Sequence, residues 1–291
     1  MSTGNAGLHV RCGRDDLLAA LQAADAVVPS NSPKPILVNL LFTVQPGSME
    51  IVATDLQVGL RAVIRRLEAV VPGQVVVPAR AMVGILKESR SPTVELILRS
   101  DADRGVLAIE LADGSYTVPA VMGEAFPPVG SFPTEGSKVT IPADRLETML
   151  RKTVFAVDHD RTSAVLLGVH LGINAGEFVL AATDGKVLAE AVEKGAGFQG
   201  PVQAIIPAAT IHHIQRILGG ASTQPVEIAF AGKLVFVRVV LDSGEAGGAG
   251  NIQVELTSRL VDGSYPSYRN ALPARSEEHT SELQSQFHLV C

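Results

Sequence analysis
The sequence predicts an α+β fold in two pseudo-symmetric domains. Three observations carry that expectation: an internal repeat, a strand-helix-strands period inside each copy, and an aliphatic composition. With 291 residues, the chain is long enough for about two domains of ordinary size. Apolar residues make up 46% and charged residues 19%, a globular composition. Trp is absent and aromatics reach only 4%, so Val, Leu, Ile and Ala must build the core.

The repeat has a constant offset. Leu17, Leu21, Leu37, Gly47, Thr54-Asp55 and Pro78-Ala79 recur 129 positions later as Leu146, Leu150, Leu166, Gly176, Thr183-Asp184 and Pro207-Ala208. Each copy closes on an aromatic-proline pair, Phe126-Pro127 and Tyr265-Pro266, and a Pro/Gly-rich linker spans 126–137. Inside the copies, Val10–Leu17 resembles Val75–Met82, and the pattern returns at Val139–Leu146 and Ala204–Ile211. These starts imply helices over 14–26, 79–90, 143–153 and 208–217. The first shows one apolar stripe of Leu17, Leu21, Ala24 and Val28. Strands follow over 37–44, 49–53 and 59–65, and again over 165–173 and 178–182. Gln-Pro-Gly (45–47) and Asn-Ala-Gly (174–176) mark the hairpins. The ranges expected for the domains are 8–128 and 136–262, with 263–274 leading into a third.

Charge and cysteine content exclude several classes. The net charge of −6 argues against a uniformly basic nucleic-acid coat, though not against a basic face. Cys12 and Cys291 cannot make a disulfide framework or a multi-cysteine zinc site. No signal peptide precedes the first strand and no apolar run nears the ~20 residues of a membrane span, so a soluble cytoplasmic protein is expected. Residues 275–291 lack the Val/Ala/Gly texture of the rest and read as a non-native tail, Cys291 included.

Asp55 and Asp184 each follow Thr at a strand-to-turn step, where Asp bonds nearby backbone N–H groups. Asp158-His159-Asp160 and His212-His213 are adjacent residues that point apart, so neither is a metal site alone. The glycine-rich stretch 244–250 lacks the Lys-Ser/Thr of a phosphate loop and reads as a hairpin tip. No catalytic constellation, metal or cofactor is expected. The alternative is a carboxylate-dependent hydrolase at the domain junction, using Asp55 with Asp184 or the Asp158-His159-Asp160 group.

Four segments carry a resemblance: Pro35–Leu41, Ala-Thr-Asp-Leu (53–56), Ala-Ala-Thr-Asp-Gly (181–185) and Leu-Val-Asp-Gly-Ser-Tyr-Pro-Ser-Tyr-Arg (260–269). Over residues 8–274 the chain resembles the bacterial DNA sliding clamp, the beta subunit of DNA polymerase III. The resemblance implies the DNA clamp (processivity) fold and a non-catalytic subunit of a DNA-directed DNA polymerase complex. It implies three domains, two chains of which close into a homodimeric ring around double-stranded DNA. Replicative polymerase and clamp loader are the implied partners, and no membrane. Without the third domain, ring closure is not expected of this chain.

In the family the helices line the pore. The four expected helices together carry +2, against −6 for the remainder of residues 1–274. The residues expected to face DNA are Lys34, Arg80, Lys87, Arg90 and Arg145, and further along Arg151, Lys152, His212, His213 and Arg216. The resemblance also implies a pocket for partner peptides carrying a Gln and an apolar pair. Its matching positions are Leu166, Thr183, Gly185, Lys186, Val187 and Leu188, with Pro266, Asn270 and Ala271. Here the chain departs from the family: it reads Thr-Asp-Gly-Lys-Val-Leu (183–188) where Thr-Asp-Gly-His-Arg-Leu is typical, and Asn270 and Ala271 stand where a basic and a larger apolar residue are common.

Overall fold
Proline ends a strand and alanine begins a helix at Pro78-Ala79, Pro142-Ala143 and Pro207-Ala208, and this junction recurs through the architecture. Proline cannot donate the next ladder hydrogen bond, and its fixed φ leads the chain into a helical turn. The computed structural model describes residues 7–101, 104–122, 125–159, 163–174, 176–195, 197–198, 200–219, 224–241, 252–271 and 285–290. Two units emerge. The first holds the chain up to Ser131 with residues 238–241 and 252–257; the second holds the described residues between 132 and 237 and those from 258 on.

In the first unit, β1 (Leu8–Gly13) runs into α1 (Arg14–Asp25). Then come β2 (Asn39–Gln45), β3 (Ser48–Thr54), β4 (Val58–Ile64), β5 (Leu67–Val71) and β6 (Gly73–Pro78). After α2 (Ala79–Glu88) follow β7 (Thr93–Asp101), β8 (Arg104–Leu111) and β9 (Gly114–Ala120). One sheet has the order β5-β1-β7-β8-β9, and β4-β3-β2-β6 lie side by side in another. Helix α1 lies beside α2 and over β3 and β4. Leu17, Leu21 and Ala24 of its stripe are fully buried, as are Phe42, Ile51, Leu60 and Met82, while Val28 lies beyond the helix. Each Leu-sized side chain buried there contributes about 1.5–3 kcal/mol.

The second unit repeats the plan. It runs β10 (Ser137–Pro142), α3 (Ala143–Thr153), β11 (Gly168–Asn174), β12 (Glu177–Thr183), β13 (Leu188–Lys194), β14 (Val202–Pro207), α4 (Ala208–Leu218) and β15 (Pro225–Ala231). The sheet order is β14-β11-β12-β13, and β10 pairs with β15. Strands β16 (Leu234–Leu241) and β17 (Ile252–Arg259) complete the repeat in sequence. Helix α3 lies beside α4 and over β12 and β13. The hairpin glycines take left-handed conformations at matching places, Gly47 at φ +79° and Gly176 at +82°.

Some expectations shift. The strand expected over 37–44 starts only at Asn39: Pro35–Val38 forms a 3-10 turn, and the Asn39 side-chain amide donates to Pro35 O at 2.9 Å. Ala164–Leu167 turns in the same way before β11. Helix α2 ends at Glu88, so Arg90 lies beyond it. Among the described residues no strand of the second unit matches β5, and Phe198 is buried against Phe178 at 5.6 Å between ring centroids. Within the stretch read as a non-native tail, β18 (Ser285–Val290) pairs antiparallel with β13, from Leu188↔Val290 to Glu193↔Ser285. Asp160, the 244–250 stretch, residues 275–284 and Cys291 lie outside the described residues. Among those described, no helix is long and apolar enough to cross a membrane.

Candidate functional site
The Thr-Asp signature builds the same turn in both units. Thr54 Oγ1 donates to Val58 O at 2.8 Å, and Asp55 Oδ1 accepts from the N–H groups of Gln57 and Val58 at 2.8 and 2.7 Å. Thr183 Oγ1 donates to Val187 O at 2.7 Å, and Asp184 Oδ1 accepts from Lys186 and Val187 at 2.8 and 2.7 Å. These backbone donors, Val187 first, hold the Asp184 carboxyl below its usual range. Both carboxylates are thus engaged in shaping turns, as a structural role requires and a hydrolase does not. The residue after each Asp is left-handed: Leu56 at φ +78° and Gly185 at +88°.

The second turn stands at the start of β13, where Leu188 is buried at 7% exposure. Val187, Leu166 and Thr183 are partly buried, and Gly185, Lys186 and Pro266 are exposed. A hydrogen bond joins this group to the later segment: the Thr183 N–H donates to the Tyr265 hydroxyl at 3.0 Å. Asn270 and Ala271 close the 3-10 turn Tyr268–Ala271.

Sequence reasoning missed the knot that fastens this segment to the sheet. Tyr268 donates its hydroxyl proton to Glu190 Oε1 at 2.9 Å, and Arg269 Nε donates to the same oxygen at 3.2 Å. The Glu190 side chain is only 5% exposed, against 52% for Arg269. His170 stacks on Tyr265 at 5.1 Å and meets Tyr268 edge-on at 5.9 Å. Burial pushes the Tyr265 phenol up to about 12. Burial first, then the Arg269 charge, holds the His170 imidazole below its usual value, with Glu190 opposing. Two signals were available: Glu190 shares a strand face with Leu188 and Val192, and Tyr-x-x-Tyr-Arg (265–269) is rich in side chains with both an apolar body and a polar tip.

A cleft of about 260 Å³ opens beside the knot, lined by His170, Gly172, Asn174, Val179, Gln203 and residues 265–269. Of the predicted pocket residues, Pro266 alone lines it. A second cleft, about 320 Å³, shares His170, Gln203 and Tyr265 and extends along residues 260–264.

The residues expected to face DNA fall in separate places within each unit. Arg80 and Lys87 are exposed on α2, and an Arg80 guanidinium N–H donates to Ser30 O at 3.3 Å, drawing in the loop that carries exposed Lys34. Arg90 is exposed, and its backbone N–H donates to Asp113 at 2.8 Å. Arg145 and Lys152 are partly buried on α3 and Arg151 is exposed. On α4, His212 and Arg216 are exposed and His213 is partly buried. Lys87, Arg151, Lys152 and Arg216 sit in last turns, where positive charge also complements the helix dipole.

Comparison with known proteins places this geometry. Residues 8–128 match the family model described as DNA polymerase III beta subunit, N-terminal domain, and residues 140–267 match that of the central domain. The beta sliding clamp of Pseudomonas aeruginosa is 27% identical over 268 residues, covering 91% of this chain and 68% of that protein. The Escherichia coli beta sliding clamp is 24% identical over 271 residues, with 91% and 68% covered. The crystal structure of the P. aeruginosa DNA polymerase III subunit beta superposes with a TM-score of 0.77 at 27% identity, covering 92% of this chain and 69% of that one. A Bacillus subtilis sliding clamp shares the fold at a TM-score of 0.78 and 22% identity, covering 93% and 69%. Two consecutive family domains over most of its length make this chain a member of the DNA polymerase III beta subunit family, the bacterial sliding clamps.

Proposed function
We propose that this chain is part of a non-catalytic processivity factor whose full-length ring holds DNA topologically and whose hold on its partners is a peptide pocket. The observation that carries this reading is the tandem of two family domains, at 8–128 and 140–267. A sliding protein needs phosphate contacts without base readout. Lys34, Arg80, Lys87, Arg90, Arg145, Arg151, Lys152, His212, His213 and Arg216 supply them in this reading. A ring linked to DNA raises the effective concentration of polymerase at the primer end instead of altering any chemical step. The domain ranges 8–128 and 136–262, with 263–274 leading onward, belong to the same proposal, as do a homodimeric ring in the full-length family, polymerase and loader as partners, and a cytoplasmic location.

The partner pocket takes the floor Leu166, Val187, Leu188 and Pro266, together with the matching positions Thr183, Gly185, Lys186, Asn270 and Ala271. An apolar anchor buried on that floor contributes about 1.5–3 kcal/mol. Lys186-Val187 in place of His-Arg leaves a less cationic mouth. Fluorescence anisotropy with a labelled peptide carrying one Gln and an apolar pair tests the pocket. Leu188→Asp, or Val187→Asp at the more exposed neighbour, abolishes binding in a protein whose circular dichroism is unchanged. Undiminished affinity in a folded Val187→Asp protein would place the pocket elsewhere.

A further inference from the structure
The 260 Å³ cleft beside the knot presents donors and no acid. Positions 129 residues apart show how it arises. On the matching face of the first unit, Gln74 Nε2 donates to Thr43 Oγ1 at 3.2 Å, and Arg61 pairs with Glu50 at 3.2 Å. In the second unit Thr43 is replaced by Gly172 and Glu50 by Val179. The absent side chain at Gly172 leaves an opening: a Cβ there would lie 3.4 Å from His170 Nε2, in ordinary contact. The amides of Gln203 and Asn174 are exposed at its rim, and among the described residues neither makes a side-chain hydrogen bond within the protein. Arg269 lines the cleft as well, its Nε held by Glu190, which does not line it. That bond fixes the plane of the guanidinium and leaves its outer N–H fork for a bidentate acceptor. Imidazole, two amides and a held guanidinium therefore converge on a space without a carboxylate in its walls.

We propose that this cleft is a carboxylate subsite that takes an acidic side chain of a peptide whose apolar anchors lie in the neighbouring pocket. The inference rests on the pocket reading above. It is supported by continuity, since Pro266 belongs to both places and Tyr265 bridges them, its hydroxyl on Thr183 and its ring on His170. With a net charge of −6, the whole chain repels acidic peptides. Tighter binding of an acidic peptide is for that reason a local signal.

The test is a set of anisotropy titrations at constant ionic strength. Labelled peptides carry one Gln and an apolar pair, extended at either end by Asp-Asp or by Asn-Asn. The expected result is that one Asp-Asp peptide binds at least fivefold more tightly than its Asn-Asn twin. That advantage is lost in Gly172→Thr, which restores the residue of the first unit, and in Gln203→Glu, which places a carboxylate at the rim. Both variants keep wild-type affinity for the Asn-Asn peptide. Equal affinities for the twins on the wild-type protein overturn the subsite and leave the pocket standing. An advantage that survives both variants also overturns it, placing the acid elsewhere. Absence of binding by the Asn-Asn peptide, with an Asp-Asp advantage that Gly172→Thr removes, overturns the pocket and upholds the subsite. Absence of binding by every peptide overturns both.

Discussion

The sheet face of β2, β3, β4 and β6 and that of β11, β12, β13 and β14 share one backbone plan but are finished differently. In the first unit the segment after Phe126-Pro127 closes the face. Val129 fills the space above Gly59, where a Cβ would come within 2.5 Å of its Cγ1, and Arg61 donates to Val129 O at 3.3 Å while pairing with Glu50. In the second unit the counterpart of Gly59 is Leu188, that of Arg61 is Glu190, and that of Leu41 is His170. The segment after Tyr265-Pro266 is held at Glu190 by Tyr268 and Arg269, and Leu188 keeps its own side chain at the start of β13. A repeated fold can thus be filled by its own connecting segment in one copy and left with two clefts in the other.

The two units differ most at their two anchors, Glu190 and Arg61. Glu190→Leu removes the buried acceptor of Tyr268 and Arg269; with Arg269 half exposed, about 2–3 kcal/mol of unfolding free energy is expected to be lost. Arg61→Leu breaks a pair of which neither side chain is fully buried, and costs about 1 kcal/mol. Urea titration of both variants checks the order, and equal losses would show that the two segments are held alike. Gly59→Leu imports the second unit's residue into the first. It forces Val129 aside and costs about 1–3 kcal/mol by overpacking. Adding Val129→Gly recovers much of that, read by thermal unfolding; no recovery would mean the clash is with the backbone.

The pH dependence sharpens the contrast between His170 and Leu41. The folded imidazole is held below its unfolded value of about 6.5, so the unfolded chain binds more protons in the window between the two. His170 therefore makes stability rise with pH through that window: its share is complete above about pH 6.5 and is lost as pH falls toward the folded value. His170→Leu flattens the slope, as urea midpoints between pH 5 and 8 would record; an unchanged slope assigns it to other groups. The smallest effect is at the turns. Leu56 takes the left-handed conformation that Gly185 takes freely. Leu56→Gly changes stability by less than about 1 kcal/mol, because relief of strain and added chain entropy oppose each other. Gly185→Leu loses about 1–2 kcal/mol. Equal and opposite shifts would require strain alone to govern both turns.

What was legible in the sequence is what is local. The offset of Thr54-Asp55 and Thr183-Asp184, the Pro-Ala junctions and the glycine hairpins specify short-range geometry, and each formed where its residues stood. The 3-10 turn at Pro35–Val38 was hidden because an apolar run reads as strand unless the Asn39 bond to Pro35 O is foreseen. The Glu190 knot was hidden for a different reason. Its partners lie 78 and 79 residues away, and neither periodicity nor spacing reports a contact across a sheet. The cleft depends on an absence, the missing side chain at Gly172, which gains meaning only once Thr43 is known to fill the same place.

In the proposed reading, any affinity of this chain itself for duplex DNA comes from non-specific phosphate contacts made by its helices. The most direct test is duplex binding as a function of salt, on two unrelated sequences, for the wild type and for Arg80→Gln, Arg151→Gln and Arg216→Gln. The prediction is weak affinity, equal for both sequences, with a log-log salt slope that shrinks by about 0.9 for each phosphate contact removed. A tenfold preference for one sequence, or slopes untouched by all three substitutions, would contradict it.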